Sequence, residues 1–332
     1  MSAAFSHILI ARTDNIGDLV LTLPLAGFLK QRFPGVRISV VCRAYAAPVV
    51  RHSRFVDQVY AVEELGDANA FFAGAGIDTV IFAYPDRRLA RAAKRARVPR
   101  RVGTSHRLYH WLYCNRLAHF SRVQSELHEA QLNFALLKPL GVAVTPALDQ
   151  IPQWYGLQAA NGHPALEAGK FNLVLHPKSN GNGREWPVAH YAALAALLAA
   201  DPRIVCLVTG SPAEGGWLAT HGAALLAQPN VRNLCGTMDL NGLTELIAAA
   251  DGLVASGTGP VHMAAALGIR TLGLFPPVKP IHPGRWAPVG PRAEVLCEAQ
   301  ACGQCGDAAT CGCMEAITPA RVAEVIARWT QS

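Results

Sequence analysis

Short apolar runs rich in β-branched residues recur along this chain and alternate with alanine- and leucine-rich stretches. In the first half they are HILIAR (7–12), RISVVCR (37–43), FVDQVYAV (55–62) and DTVIFAY (78–84). Their length and branching predict strands, and the stretches between them predict helices. A helix is expected around QSELHEAQLNFALLKPLGV (124–142), closing the first half near Gly141. Prolines, glycines and polar residues interrupt the rhythm over 143–170, as a linker or edge excursion would. It then resumes with FNLVLHP (171–177), RIVCLVTG (203–210), DGLVAS (251–256) and RTLGLFP (270–276), again separated by helical segments. Strand, helix, strand at this spacing implies right-handed crossovers and parallel sheets. The expectation is α/β with two Rossmann-like doubly wound domains, at 1–155 and 170–318, and a last helix at 319–332.

Length agrees with that division, since 332 residues exceed what one hydrophobic core usually supports. With 51% hydrophobic and 16% charged residues the chain has the composition of a folded protein. The longest uncharged segment, 252–269, carries four glycines, a proline and a histidine, poor material for a bilayer span. The amino terminus enters a strand with no basic n-region and no cleavage site, which predicts a cytoplasmic protein. There the nine cysteines would stay reduced.

Charge changes the picture locally. The chain carries +7 overall, yet 86–101 (DRRLARAAKRARVPRR) holds eight basic side chains against one acid. HRLYHWLYCNR (106–116) follows with five aromatic or histidine residues and two further arginines. Such a segment is either a solvated helix face or a patch for phosphate groups. No nucleic-acid motif accompanies it, so the phosphates of an acidic lipid surface or of a phosphorylated sugar are the expected partners, and nucleic acid is not. Arg87, Arg88, Arg91 and Lys94 are the candidate contacts.

In doubly wound sheets ligands bind beyond the carboxyl ends of the strands, so the loops there carry the chemistry. ARTDNIGDLV (11–20) lacks both the glycines of a dinucleotide site and the lysine of a P-loop. Asp18, at a helix start, is either an acid favoured by the helix dipole or a general base. HPKSNGNGREWPVAHY (176–191) offers flexible backbone with Lys178 and Arg184, a candidate anion loop. ASGTGPVHMAAALG (255–268) brings Thr258, Gly259 and a helix start near Pro260, with His262 in the first turn. TGSPAEGGW (209–217) carries Glu214, which suits a ribose diol or simply begins a helix, and Met238 can line an adenine pocket or fill a core. Five cysteines crowd 297–313; Cys302, Cys305, Cys311 and Cys313 could supply four thiolates, but their spacing falls short of a zinc ribbon.

Together these segments resemble the ADP-heptose:lipopolysaccharide heptosyltransferases, glycosyltransferase family 9. ILIARTDNIGDLVLTLP is similar to that family's opening motif, DGLVASGTGPVHMAAALGIRTLGLFPP to its second signature, and HPKSNGNGREWP to its phosphate loop. The stretch from Cys302 through Cys313 to Val322 is similar to its carboxyl-terminal tail. The resemblance implies a GT-B fold with an acceptor domain, a donor domain and a final helix that packs toward the first. It implies an inverting, metal-independent transfer of heptose from ADP-heptose to a sugar hydroxyl, without a cofactor, on a lipopolysaccharide core or related surface glycan at the inner membrane. Asp18 would be the base; Lys178, Arg184, Thr258, Gly259 and His262 would hold the donor, with Glu214 and Met238 at ribose and adenine. One position departs: where the family commonly has an acid before its Thr/Ser-Gly pair, this chain has Gly257. Another nucleotide sugar, or a non-catalytic nucleotide-sugar module on the same fold, are the alternatives that this departure keeps open.

Overall fold

A computed structural model of the chain describes residues 5–159, 162–179, 181, 183–301 and 311–331. It divides into two compact units, Met1–Gln158 and Ala159–Ser332. The first is built on strands β1 (His7–Ala11), β2 (Arg37–Cys42), β3 (Gln58–Ala61), β4 (Thr79–Phe82), β5 (Arg100–Thr104) and β6 (Arg116–Ala118). They form one sheet in the order β3-β2-β1-β4-β5-β6, every pairing parallel. All five residues of β1 are buried, as a central parallel strand covered on both faces requires. Leu9, Val41, Phe72, Val80, Phe82 and Leu89 pack one core of this unit.

The second unit repeats the plan with β7 (Phe171–His176), β8 (Ile204–Val208), β9 (Val231–Asn233), β10 (Gly252–Ser256), β11 (Arg270–Phe275) and β12 (Ala293–Cys297). Its order is β12-β11-β10-β7-β8-β9, again all parallel. In each unit the direction of winding reverses beside the first strand, between β1 and β4 and between β7 and β10. Those two reversals are where such sheets open a crevice for ligand.

Three expectations are refined. The helix foreseen over 124–142 is a short α-helix, Glu129–Phe134, continued as a 3₁₀ helix, Ala135–Leu140, because Pro139 cannot donate to a longer α-helical ladder. Gly141, at φ +83°, ends it as foreseen. The stretch read as a linker is, in its first part, core: Trp154 is buried, donates its indole N–H to Gln31 Oε1 at 2.7 Å, and meets the Phe28 ring edge-on at 5.2 Å. The helix Pro319–Gln331 uses Val322, Val325, Ile326 and Trp329 in the core of the second unit, and Trp329 Nε1 donates to Glu294 Oε1 at 2.8 Å. Among the described residues no helix is long and apolar enough to cross a membrane.

Around β10 the packing leaves no room for side chains at two glycines. A Cβ on Gly257 would stand 2.9 Å from the Phe275 ring, and one on Gly273 would stand 2.6 Å from the same ring. Phe275 is buried, so the ring cannot swing out to water. The acid that the family resemblance leads one to expect at 257 is therefore replaced by a buried aromatic ring. We expect Gly257→Ala to cost about 1–3 kcal/mol through overpacking, and Phe275→Leu in the same chain to recover most of it. Urea unfolding of the two variants checks this; equal stability of Gly257→Ala and the parent would show that the ring is not fixed.

Candidate active site

β1 delivers the first group of residues. Just past its end, Arg12 is nearly inaccessible to solvent, so its guanidinium must be paired within the protein. Its Nε donates to Asp14 Oδ1 at 2.7 Å, its Nη2 to Asp18 Oδ1, and its Nη1 lies 3.5 Å from Glu129 Oε1. Glu129 also receives Arg122 Nε at 3.1 Å. Three carboxylates thus share two guanidiniums in these pairs.

The scaffold of this cluster is local and specific. Asn15, with extended backbone, starts the helix Ile16–Val20 and sets Asp18 in its first turn. The Thr22 hydroxyl donates to the Asp18 carbonyl at 2.8 Å, and the Asn133 amide donates to Thr22 Oγ1 at 3.2 Å and to the Leu21 carbonyl at 3.0 Å. Glu129 opens its own helix behind His128, whose Nδ1 accepts from the Ala130 N–H at 3.1 Å while Gln131 Oε1 accepts from the His128 N–H. The helix after β1 and the helix Glu129–Phe134 are thereby fixed to each other.

Burial pushes the Asp18 carboxyl up to about 6; the Arg12 guanidinium opposes that rise, and the negative Asp14 and Glu129 add to it. Asp14 is raised as well, again chiefly by burial. At neutral pH Asp18 is an ionised carboxylate whose proton affinity is far higher than that of a solvated aspartate. That is the property a general base needs.

The second group lies at the carboxyl ends of β7, β8 and β10. Lys178 Nζ pairs with Glu185 Oε2 at 2.5 Å and stands 3.9 Å above the Trp217 ring centroid. Glu185 Oε1 in turn accepts from the Ser179 N–H at 2.9 Å and from its hydroxyl at 3.2 Å. Lys178 is therefore not a bare cation. Arg184 is half-buried in the same loop. A Cβ on Gly183 would stand 2.7 Å from the Gly257 carbonyl, so this loop and the loop after β10 touch backbone to backbone.

Thr258 caps the nine-residue helix Gly259–Leu267 by position, with extended backbone, yet its side chain makes no cap hydrogen bond. Its hydroxyl is buried and has no partner among the described residues. An orphaned donor at a helix start is a cost that a bound anion would remove. His262 is buried one turn into that helix. Glu214 takes the modest course foreseen for it: its Oε2 accepts from the Ser211 N–H at 2.7 Å and closes a capping box with Ser211 Oγ. Met238 is half-buried against Gly242, just before the helix Leu240–Ala249. His176 Nδ1 lies 3.0 Å from Thr209 Oγ1, which brings the ends of β7 and β8 together, and burial lowers the proton affinity of that imidazole.

The basic candidates divide. Arg87, Arg88 and Arg91 line a groove of about 530 Å³ with Arg95, Asp67 and Asn69, while Lys94 leaves it and donates to the Leu112 carbonyl at 2.7 Å. Cys311 and Cys313 are buried in the apolar core of the second unit with Met314 and Ile317. Cys302 and Cys305 lie outside the described residues. Sequence reasoning missed Arg12, Asp14, Glu129 and Trp217 as members of these sites. The first two stood in the quoted motif, but Glu129 is 111 positions beyond Asp18 and only the fold joins them.

Comparison with known proteins bears on the same elements. A family model described as Glycosyltransferase family 9 (heptosyltransferase) matches residues 98–312. Lipopolysaccharide heptosyltransferase 2 of Escherichia coli is 25% identical over 296 residues, covering 82% of this chain and 83% of its own. Lipopolysaccharide heptosyltransferase 1 of the same organism is 25% identical over 300 residues, covering 82% and 89%. Among solved structures, E. coli ADP-heptose lps heptosyltransferase II superposes with a TM-score of 0.79 at 22% identity over 98% of each chain. E. coli heptosyltransferase WaaC with ADP gives 0.70 at 21% identity, over 97% of this chain and 99% of that one. The two six-stranded parallel sheets are those of the GT-B class. With the family model spanning most of the chain, from before β5 to the last short helix, the protein belongs to glycosyltransferase family 9 and is a glycosyltransferase.

Proposed function

We propose that the protein transfers heptose from ADP-heptose to a sugar hydroxyl of a lipopolysaccharide core or related surface glycan, with inversion and without a catalytic metal. The observation that carries this reading is the half-buried Asp18 carboxylate, raised to about 6 by its surroundings and held in the first helical turn after β1. In the proposed step Asp18 takes the proton of the acceptor hydroxyl. The freed oxygen bonds to the anomeric carbon on the face opposite the diphosphate, and the carbon–oxygen bond to ADP breaks with its electron pair left on the phosphate. One attack from the rear inverts the configuration, and one base suffices.

The second unit supports the leaving group. Negative charge grows on the diphosphate as the bond breaks, and preorganised donors are worth most there. Thr258 Oγ1, the Gly259 amide at the helix start and Arg184 are assigned to it, with the Lys178–Glu185 pair beside them. Met238 and Glu214 are assigned to adenine and ribose, and His262 to the helix behind the phosphates. Arg87, Arg88 and Arg91 are assigned to phosphates of the acceptor. The structure of E. coli WaaC with ADP supports the nucleotide, and a second structure of the same enzyme is with ADP-2-deoxy-2-fluoro heptose.

One observation favours a second reading of the donor. Phe275 fills the space that a side chain at 257 would need, so the sugar loses a carboxylate partner there. A donor with a different sugar is the alternative, and a calorimetric screen of nucleotide sugars separates the two: tightest binding of ADP-heptose supports the first.

For the base itself, Asp18→Asn should lower kcat by about 10²–10⁴-fold while leaving nucleotide-sugar binding within about twofold; retained turnover would defeat the assignment. The pH profile supplies an independent check. Asp18 acts only when deprotonated, so kcat/KM should rise with pH through about 6 and level off above it. Arg12→Gln removes the charge that favours the carboxylate and should move that limb to higher pH. Glu129→Gln removes a negative neighbour and should move it lower. Profiles of both variants that coincide with the parent would show the limb belongs to another group.

A further inference from the structure

The short helix Leu108–Tyr113 buries His110 and turns its large apolar side chains outward. Its inner side is His110 and, one turn on, Cys114, both packed so close to Gly103 that a Cβ there would stand 2.7 Å from the His110 ring and 2.8 Å from Cys114 Sγ. Its outer side, at spacing i, i+3, i+4, is Leu108, Trp111 and Leu112, which are 87%, 58% and 63% exposed. The remaining large apolar side chains exposed among the described residues do not gather on one helix in this way. Trp111 is held in place: its indole N–H donates to the Ser105 carbonyl at 3.0 Å and its ring lies 6.2 Å from that of His119.

Charge surrounds this apolar tip. From residue 87 to residue 125 the chain has eleven lysines and arginines and no aspartate or glutamate, whereas the rest carries 19 cations against 23 acids. The whole positive balance of the protein therefore lies in this one stretch. Arg91, Lys94, Arg95 and Arg97 are exposed on and just after the preceding helix, and Arg107 and Arg116 flank the apolar one. Lys94 ties the two helices, donating to the Leu112 carbonyl and lying 5.9 Å from the Tyr113 ring centroid.

Apolar side chains at the tip, with a rim in which cations far outnumber the neighbouring acids Asp67 and Asp86, match an anionic bilayer, where acyl chains accept the former and lipid phosphates the latter. Nucleic acid offers nothing to Leu108 and Leu112. A protein dimer needs about 800 Å² from each partner, and three side chains supply a few hundred at most. We propose that the Leu108–Tyr113 helix is a membrane-docking element, which sets Leu108, Trp111 and Leu112 at the headgroup–acyl boundary while the flanking arginines and Lys94 meet lipid phosphates. This goes beyond the proposed reaction and does not depend on it.

The test is co-flotation of the full chain with vesicles that contain no glycan, in the absence of any nucleotide sugar. Vesicles of phosphatidylethanolamine with phosphatidylglycerol should carry the protein, and vesicles of phosphatidylcholine alone should not. Leu108→Ser, Trp111→Ser and Leu112→Ser combined should weaken binding at least about tenfold, with an unchanged circular dichroism spectrum because these side chains lie outside the core. Raised salt should release the parent protein. Equal binding by the triple variant, no binding by the parent, or a parent dimer that the triple variant dissolves would each overturn the proposal. Failure of the Asp18 assignment would leave the vesicle result unchanged, so the two readings fail separately.

Discussion

A buried guanidinium cannot be left unpaired, and in the first unit the answer to that requirement organises the site. Arg12 sits where β1 ends, and its partners come from the turn after that strand, from the helix start at Asp18 and from Glu129, far along the chain. Withdrawing the charge from water costs several kcal/mol, and the three carboxylates offset it. Arg122 joins Arg12 on the positive side, at Glu129. Burial raises the proton affinity of Asp18, and its negative neighbours Asp14 and Glu129 add to the rise. Structure and reactivity have the same cause here: the pairing that fixes the loop also tunes the carboxylate.

Both units use one topological device for different chemistry. In each, the sheet reverses its winding beside the first strand, and the loops after the two central strands stand free of crossover helices. In the first unit that position is filled by charged side chains fixed to one another. In the second it is filled by small residues, Gly183, Gly257 and Gly259, with a helix start and the hydroxyl of Thr258 behind them. Fixed side chains suit proton transfer, and exposed amides with close backbone suit a diphosphate. The division of labour follows from residue size at equivalent places in one plan.

Much of this was legible in the sequence because parallel sheets demand it. Strands buried on both faces must be apolar runs, and HILIA and GLVAS could hardly be read otherwise. β5, RRVGT, was hidden by its two arginines, whose long side chains spend their charge on Asp78 and on backbone carbonyls. β6 and β9 have three residues each, too few to show a period. Asp18 and Thr258 could be singled out as candidates because strand, turn and helix start are contiguous in the chain. Glu129 and Trp217 were not, since each owes its place to packing between segments remote in sequence. The linker reading failed in its first part for a related reason: Pro152 and Gly156 look like breaks, but the aromatic residues between them fill a core.

Lys178 shows why a site cannot be read as a list of cations. Two charges neutralise a diphosphate on paper, yet Glu185, held by the Ser179 N–H and hydroxyl, already answers Lys178. At Lys178 a ligand meets a nearly neutral pair, its ammonium already over the Trp217 ring. In the proposed function the diphosphate falls to Arg184 and to groups whose partial charges are fixed, the helix start at Gly259 and the hydroxyl of Thr258. Such a site discriminates by shape and hydrogen-bond direction more than by charge. A preference for one diphosphate sugar over free phosphate is then a property of the backbone, and the closeness of Gly183 to Gly257, which forbids side chains, is what keeps that backbone within reach.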